Sequence, residues 1–239
     1  MTAVDVDVDV PFTLRDRAVA VPAAETLVLA DVHFGKAAAS SVDVPIDDGS
    51  DVVDRLRDRL AETRPTTVVV AGDLLHSFSR IPRGVERDLG RLADAVDEAD
   101  ADLIVTPGNH DAMLEEAFGG ETVDEYALAD GETVVCHGHE EPEAAADRYI
   151  VGHVHPALSI EGRKRPCFLY GPGQYCGADV LVLPAFTRLA AGSTVNRMAG
   201  RDFQTPVVRN ADAFHPAIRD DASGETLWFP PLGECRRLL

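Results

Sequence analysis

The chain has 239 residues, which is enough for one large domain with a sizeable buried core. It carries 22 basic and 41 acidic side chains, and the net charge of −19 argues against tight binding of nucleic acid through overall charge. It does not exclude a local basic rim around an active site. No apolar run approaches the ~18 residues of a membrane span. Residues 1–10 lack the basic and apolar regions of a secretion signal. We therefore expect a soluble, cytoplasmic chain.

The acidic balance itself predicts a salt-rich environment. Only Lys36 and Lys164 are lysines, and Asp is spread along the chain rather than gathered in one tail. Salt shortens the Debye length to about 3 Å at 1 M, so the self-repulsion of such a chain is tolerable there. We therefore expect a halophilic protein, with an acidic partner-binding surface as the alternative.

The first half of the chain alternates strands and helices. Residues 26–30, 67–71 and 102–106 are apolar runs typical of strands that are covered on both faces. Residues 46–63 and 85–99 show the apolar spacing of amphipathic helices, and an earlier strand is expected at 18–21. This order predicts a parallel β-α-β-α-β unit with right-handed crossovers.

The second half is predicted to be rich in short strands. The candidates are residues 121–129, 133–136, 148–151, 167–170, 180–183 and 224–231. Two sheets packed face to face, with helices outside, would accommodate both halves. No linker-like stretch divides the chain, so we expect a single α/β domain over residues 1–239.

Five short blocks of metal-type residues stand out, and each follows an apolar run that predicts a strand. They are Asp31-Val32-His33, Gly72-Asp73, Gly108-Asn109-His110-Asp111, His137-Gly138-His139 and Gly152-His153-Val154-His155. The carboxyl ends of strands are where an open α/β sheet presents its functional groups. Each block alone is more often packing or a turn, but all five in one chain predict a metal site.

The donor types suit two transition-metal ions. Two Asp, one Asn and four His offer oxygen and nitrogen ligands without thiolates, which favours manganese, iron, zinc or cobalt over calcium. No cysteine pair has C-x-x-C spacing, so a structural zinc site is not expected. Two such ions about 3.5–4 Å apart can clamp a phosphate and polarise a bridging water into hydroxide. His110, beside Asn109, could then protonate the leaving group or stabilise the transition state.

The order D-x-H, G-D, G-N-H-D, H-G, G-H-x-H resembles that of the calcineurin-like metallophosphoesterase superfamily. Three longer stretches are similar to archaeal phosphoesterases related to the ligase-associated DNA phosphoesterases. They begin at Ala30-Asp31, Gly72-Asp73 and Leu183-Pro184. The resemblance covers roughly residues 12–200, with a motif core at about 25–190.

The resemblance implies a four-layer α/β/β/α sandwich of two mixed sheets with a dinuclear site at their edge. The implied first-metal ligands are Asp31, His33, Asp73 and His155, and the implied second-metal ligands are Asp73, Asn109, His137 and His153. Asp73 would bridge two divalent ions, with manganese as the first expectation and iron, zinc or cobalt as alternatives. His110 would be the catalytic histidine, oriented by Asp111.

Three further residues are candidate substrate contacts. Lys36, His76 and His139 lie close in sequence to the metal-type blocks, although a structural or surface role is slightly favoured for each.

The predicted function is a metal-dependent phosphoesterase that hydrolyses a phosphodiester, or a phosphomonoester, in nucleic acids or nucleotides. The alternatives are a non-catalytic protein-interaction module on the same fold and a different dinuclear hydrolase such as an amidohydrolase. The sequence leaves the oligomeric state open.

Overall fold

Two mixed β-sheets form the body of the structure, a computed structural model that describes residues 9–36, 48–76, 80–220 and 222–236. Sheet A contains, in spatial order, β1 (Thr13–Arg15), β2 (Ala18–Val21), β3 (Thr26–Leu29), β4 (Thr67–Ala71), β5 (Asp102–Thr106) and β6 (Glu121–Thr122). Strands β3 to β6 run parallel to one another, and β1 and β2 add antiparallel pairs at one edge. The predicted parallel unit is confirmed in β3, β4 and β5.

Sheet B is built from the second half of the chain. In spatial order it contains β7 (Glu125–Ala127), β8 (Thr133–Cys136), β9 (Arg148–Val151), β13 (Ala178–Val182), β12 (Phe168–Tyr175), β15 (His215–Asp220) and β16 (Glu225–Trp228). The central strands β8, β9 and β13 are parallel, and the remaining pairs are antiparallel.

Helices α1 (Asp48–Thr63) and α2 (Val85–Asp97) cover the outer face of sheet A. Leu56 and Leu92 are fully buried there against strand residues such as Leu29 and Val70. The predicted helix began at residue 46, and residues 46 and 47 lie outside the described part. Two short helices, α3 (Leu114–Ala117) and α4 (Leu232–Cys235), complete the described α-helices.

The two sheets pack against each other through a second layer of buried side chains. Val28 and Val69 of sheet A meet Ile150 and Leu181 of sheet B, and all four are buried. Alternate residues of these strands therefore face the helices and the opposite sheet, as buried strands require. The predicted α/β sandwich of two mixed sheets is confirmed.

The outer face of sheet B is covered mainly by short elements. A small sheet of β11 (Arg163–Pro166), β10 (Pro156–Ile160) and β14 (Ser193–Thr194) lies there with the 3-10 turns Val195–Arg197, Gly200–Phe203 and Ala211–Ala213 and with helix α4. Phe203 and Phe214 from these segments close the third buried layer. None of the helices in the described ranges is long and apolar enough to cross a bilayer.

Several sequence-based boundaries differ from the structure. The strand predicted at 121–129 is two strands in different sheets, β6 and β7, because the chain crosses between the sheets at residues 123–124. Strand β12 extends past the predicted residue 170 to Tyr175, through a bulge between Gly171 and Tyr175. Strands β1, β10, β11, β14 and β15 were not predicted.

Candidate metal centre

The five blocks of metal-type residues follow five strands that run parallel within their own sheets, and the blocks meet at one edge of the sandwich. Asp31, Asp73 and Asn109 follow β3, β4 and β5 of sheet A, whereas His137 and His153 follow β8 and β9 of sheet B. Backbone hydrogen bonds join the neighbouring loops, including Asp31 N to Gly72 O at 3.0 Å and Gly152 N to His137 O at 3.1 Å. The candidate metal centre therefore lies at the edge where the carboxyl ends of strands from both sheets meet.

One group of donors surrounds Asp31. The ligand atoms of Asp31, His33, Asp73 and His155 all lie within 4.8 Å of one another. His155 Nε2 lies 3.0 Å from Asp31 Oδ1 and 3.2 Å from His33 Nε2. The second carboxylate oxygen of Asp31 is buried without a hydrogen-bond partner among the described residues. A buried oxygen of this kind needs a cation or a donor, so this group fits a divalent ion.

A second group of donors surrounds His137. Its Nε2 lies 3.1 Å from Asn109 Oδ1, 3.2 Å from His153 Nδ1 and 3.5 Å from Asp73 Oδ1. The other oxygen of Asp73, Oδ2, lies 3.7 Å from His33 Nε2 in the first group. Asp73 thus presents one oxygen to each group, and a carboxylate in this position can be shared by two cations.

Backbone carbonyls orient two of the imidazoles. His137 Nδ1 lies 3.2 Å from Ala71 O, and His153 Nε2 lies 3.1 Å from Gln204 O. Because a carbonyl can only accept, each of these nitrogens donates its proton, and the other ring nitrogen keeps its lone pair toward the donor group. Such outer contacts fix the tautomer of a metal-binding histidine. The block motifs did not indicate Gln204, which lies far along the chain.

Burial perturbs the protonation of the donors. Burial, followed by the charge of Asp31, raises the pKa of Asp73 to about 8. Burial lowers the pKa of His137 to about 4, although Asp31 opposes the shift. For Asp31 burial acts upward, but His155, His137 and His33 together hold its pKa below the ordinary value. Neutral imidazoles beside crowded carboxylates match the electrostatic need of bound cations.

His110 lies beside the donor groups with its ring half-buried. It lies against His33 with ring centroids 5.2 Å apart and stacks on His76 at 5.1 Å and an interplanar angle of 18°. Its backbone N–H donates to Asp73 Oδ1 at 2.9 Å. Burial first, and then the charge of Lys36, lowers the pKa of His110. His76 and Lys36 therefore lie in the neighbourhood of His110, and their role as substrate contacts stays a prediction.

The Asp111 carboxylate accepts hydrogen bonds from backbone N–H groups of two neighbouring loops. Its Oδ2 accepts from Gly108 N at 2.8 Å and Leu74 N at 3.2 Å, and its Oδ1 accepts from Leu75 N at 2.7 Å. The carboxylate thereby joins the loop after β5 to the loop after β4.

His139 lies on the other side of His137, with ring centroids 5.1 Å apart. It lines a cavity of about 650 Å³ whose walls also carry Asp124, Glu125, Glu140, Glu141 and Glu143. A separate cavity of about 230 Å³ opens directly onto Asp73, Asn109, His110 and His155. The site is therefore accessible, and His139 belongs to an acidic wall beside it.

A sandwich of two mixed sheets, with divalent-metal donors at the carboxyl ends of its strands, is the architecture of a metal-dependent phosphoesterase. The calcineurin-like phosphoesterase family model matches residues 25–169, and the chain belongs to this family. The resemblance inferred from the five blocks is thus confirmed.

Two solved structures are similar to the chain. A nuclease from Pseudomonas putida, MPE, is 26% identical with a TM-score of 0.59, over 90% of this chain and 92% of that one. The phosphoesterase Yfce from E. coli is 12% identical with a TM-score of 0.43, over 86% of this chain and 98% of that one. A search of curated proteins found no match.

Proposed function

We propose that the chain is a dinuclear metal-dependent phosphodiesterase that acts on nucleic acids or nucleotides. The observation that carries the proposal is the position of Asp73, which turns Oδ2 toward His33 and Oδ1 toward His137. The similarity to a nuclease supports a phosphodiester substrate. The completeness of the seven donors favours an enzyme over an interaction module on the same fold.

In this proposal Asp31, His33, Asp73 and His155 would hold one ion, and Asp73, Asn109, His137 and His153 would hold the other. When bound, such ions polarise phosphoryl oxygens and acidify water. Ala71 O and Gln204 O keep the His137 and His153 rings oriented, and Gly108 leaves room for the Asp73 carboxylate.

His110 is the proposed proton donor to the leaving oxygen. It lines the cavity that opens onto Asp73 and Asn109, so its ring can reach a phosphoester held there. General acid catalysis of this kind contributes typically about 10²–10⁴-fold. Asp111 is proposed to act as a positioning residue, because its hydrogen bonds to Gly108 N and Leu74 N fix the loop that carries His110.

The experiment that tests the function compares hydrolysis of bis(4-nitrophenyl) phosphate and of 4-nitrophenyl phosphate, with manganese and with chelator, in concentrated KCl. We expect metal-dependent cleavage of the diester and its loss in Asp73→Asn, with less metal bound per chain. Asp100→Asn is the matched control, because Asp100 is exposed and shares the left-handed backbone of Asp73, with φ values of 57° and 51°. Cleavage of the monoester alone would replace the diesterase by a phosphatase. Absence of cleavage despite bound metal would reject the enzyme.

A further inference from the structure

A small basic cavity adjoins the metal centre on the side of His155. It measures about 190 Å³ and is lined by His155 together with Arg17, Lys164 and Arg188. No Asp or Glu from the described ranges lines it, although the chain as a whole has 41 acidic residues against 22 basic ones. A positive cavity in so acidic a protein indicates an anionic ligand.

Three distant parts of the chain supply these cations. Arg17 follows β1, Lys164 lies on the edge strand β11, and Arg188 follows β13. Arg17 is held in place because one of its nitrogens donates to Thr187 O at 2.6 Å and Ala185 O at 3.1 Å. Its pKa is lowered by burial to about 10, so it stays charged at neutral pH. Arg188 pairs with Asp51 at 2.7 Å, but the Arg188 side chain is 59% exposed and such a surface pair contributes little, so an anion can compete for Arg188.

The opposite side of the metal centre has the opposite charge. The larger cavity beside His137 and His139 is lined by Asp124, Glu125 and three further glutamates, and neither Lys nor Arg from the described residues lines it. A polyanion that occupies the metal centre is therefore repelled on the His137 side and attracted on the His155 side.

We propose that this basic cavity binds a phosphate next to the scissile one, so that the substrate is a polynucleotide strand running from the metal centre past His155. The inference rests on the proposed function and deepens it by assigning the flanking phosphate to Arg17, Lys164 and Arg188. Pro156, Ala157 and Pro166 on the same walls supply apolar contact for the sugar. Phosphate contacts of this kind position a strand without reading its sequence.

Strand β11 provides a matched control for the test. Successive side chains of a strand point to opposite faces, and Lys164 and Pro166 line the cavity while Arg163 and Arg165 do not. The variant Lys164→Gln/Arg188→Gln removes two charges from the cavity. The variant Arg163→Gln/Arg165→Gln removes two charges from the same strand but from its other face.

The first measurement is binding of a fluorescein-labelled short oligothymidylate to the metal-free protein at several KCl concentrations. We expect the cavity variant to bind about tenfold more weakly, and the slope of its plot of log K against log salt to become shallower by about 0.7 for each cation that no longer meets a phosphate of this single strand. The control variant should bind like wild type. Lys164→Arg, which keeps the positive charge in the cavity, should retain most of the wild-type affinity. Equal losses of affinity in both double variants, or no loss in either, would overturn the proposal that this cavity binds a phosphate. Equal competition by an oligoglutamate of the same charge would overturn its preference for phosphate.

A second measurement separates this inference from the proposed function. Bis(4-nitrophenyl) phosphate has one phosphate and cannot reach the basic cavity with a second one, so its hydrolysis should be the same in the cavity variant and in wild type. Hydrolysis of the oligothymidylate should fall in the cavity variant. If wild type with manganese cleaves neither substrate, the proposed function fails, whereas equal losses on both substrates refute the flanking-phosphate site alone.

Discussion

At the scale of single residues, Asp73 and His110 have different environments and different proposed roles. Asp73 is buried and shares its two oxygens between the donor groups, whereas His110 is half-buried and faces the cavity. The two residues are linked because the His110 N–H donates to Asp73 Oδ1 at 2.9 Å. The backbone of the proposed proton donor is therefore tied to the proposed bridging ligand.

The proposed role of His110 as proton donor predicts that the loss of activity in a variant depends on the leaving group. His110→Ala should retain bound metal and should slow cleavage of an alkyl phosphodiester by about 10²–10⁴-fold, because an alkoxide needs a proton to leave. A 4-nitrophenyl ester should lose much less, since nitrophenolate leaves without one. Measured kcat/KM values for both ester types give the comparison, with His215→Ala, which lies in β15, as the control. Equal losses for the two leaving groups would contradict the proton-donor role.

At the scale of elements, left-handed turns aim the donors. Asp31, His33, Asp73, His153 and His155 all have positive φ, between 50° and 66°. Residues other than Gly rarely adopt this left-handed backbone region, and such backbone strain is typical of functional sites. Each of the strands β3, β4 and β9 thus ends in a tight turn that brings its donors back toward the other sheet.

Glycines between these turns allow close approach, and Gly108 gives a test. A Cβ at Gly108 would overlap the Asp73 carboxylate and lie 2.5 Å from Asp73 N, so Gly108→Ala should abolish metal binding or reduce it strongly. Gly90 in α2 has open space around it, so Gly90→Ala should keep activity and raise the free energy of unfolding by roughly 0.5–1 kcal/mol. Metal content and urea unfolding of both variants measure this. Unchanged metal binding in Gly108→Ala would mean that the Asp73 loop adapts.

The sequence predicted the elements whose pattern is strong and local. β3, β4 and β5 are apolar runs, and α1 and α2 carry one apolar face, so both kinds were found with nearly correct bounds. Strand β11 was not predicted because Arg163-Lys164-Arg165 has no alternation of apolar and polar residues. Only its pairing with β10 makes this segment a strand.

The same limit applies to the site. The block motifs predicted donors that the structure brings together, because those residues follow strands whose ends must meet. Gln204 and Arg17 could not be predicted, since they reach the site or its neighbouring cavity from remote segments. Arg17 donates to the carbonyls of Ala185 and Thr187, and the Gln204 carbonyl accepts from the His153 ring. No local sequence pattern predicts either contact.

At the scale of the whole molecule, charge is unevenly distributed. The carboxylates Glu140, Glu141 and Glu143 crowd one side of the metal centre, whereas Arg17, Lys164 and Arg188 line the other. A net charge of −19 makes mutual repulsion a general cost of folding. The local balance near the site is thus opposite on its two sides, which the overall charge conceals.

This repulsion predicts that KCl stabilises the fold. The Debye length falls from about 10 Å at 0.1 M to about 3 Å at 1 M, so the melting temperature should rise most over this interval and level off above it. The variant Glu140→Gln/Glu141→Gln/Glu143→Gln removes a crowded group of exposed charges and should show a smaller rise. A control variant, Asp54→Asn/Asp94→Asn/Glu115→Gln, removes three exposed charges that lie far apart in the sequence and should differ less from wild type. Thermal unfolding in KCl and in sucrose separates screening from general exclusion effects, because sucrose carries no charge. A melting temperature that sucrose raises as much as KCl does, or equal salt responses in the two triple variants, would contradict repulsion between crowded carboxylates as the cause.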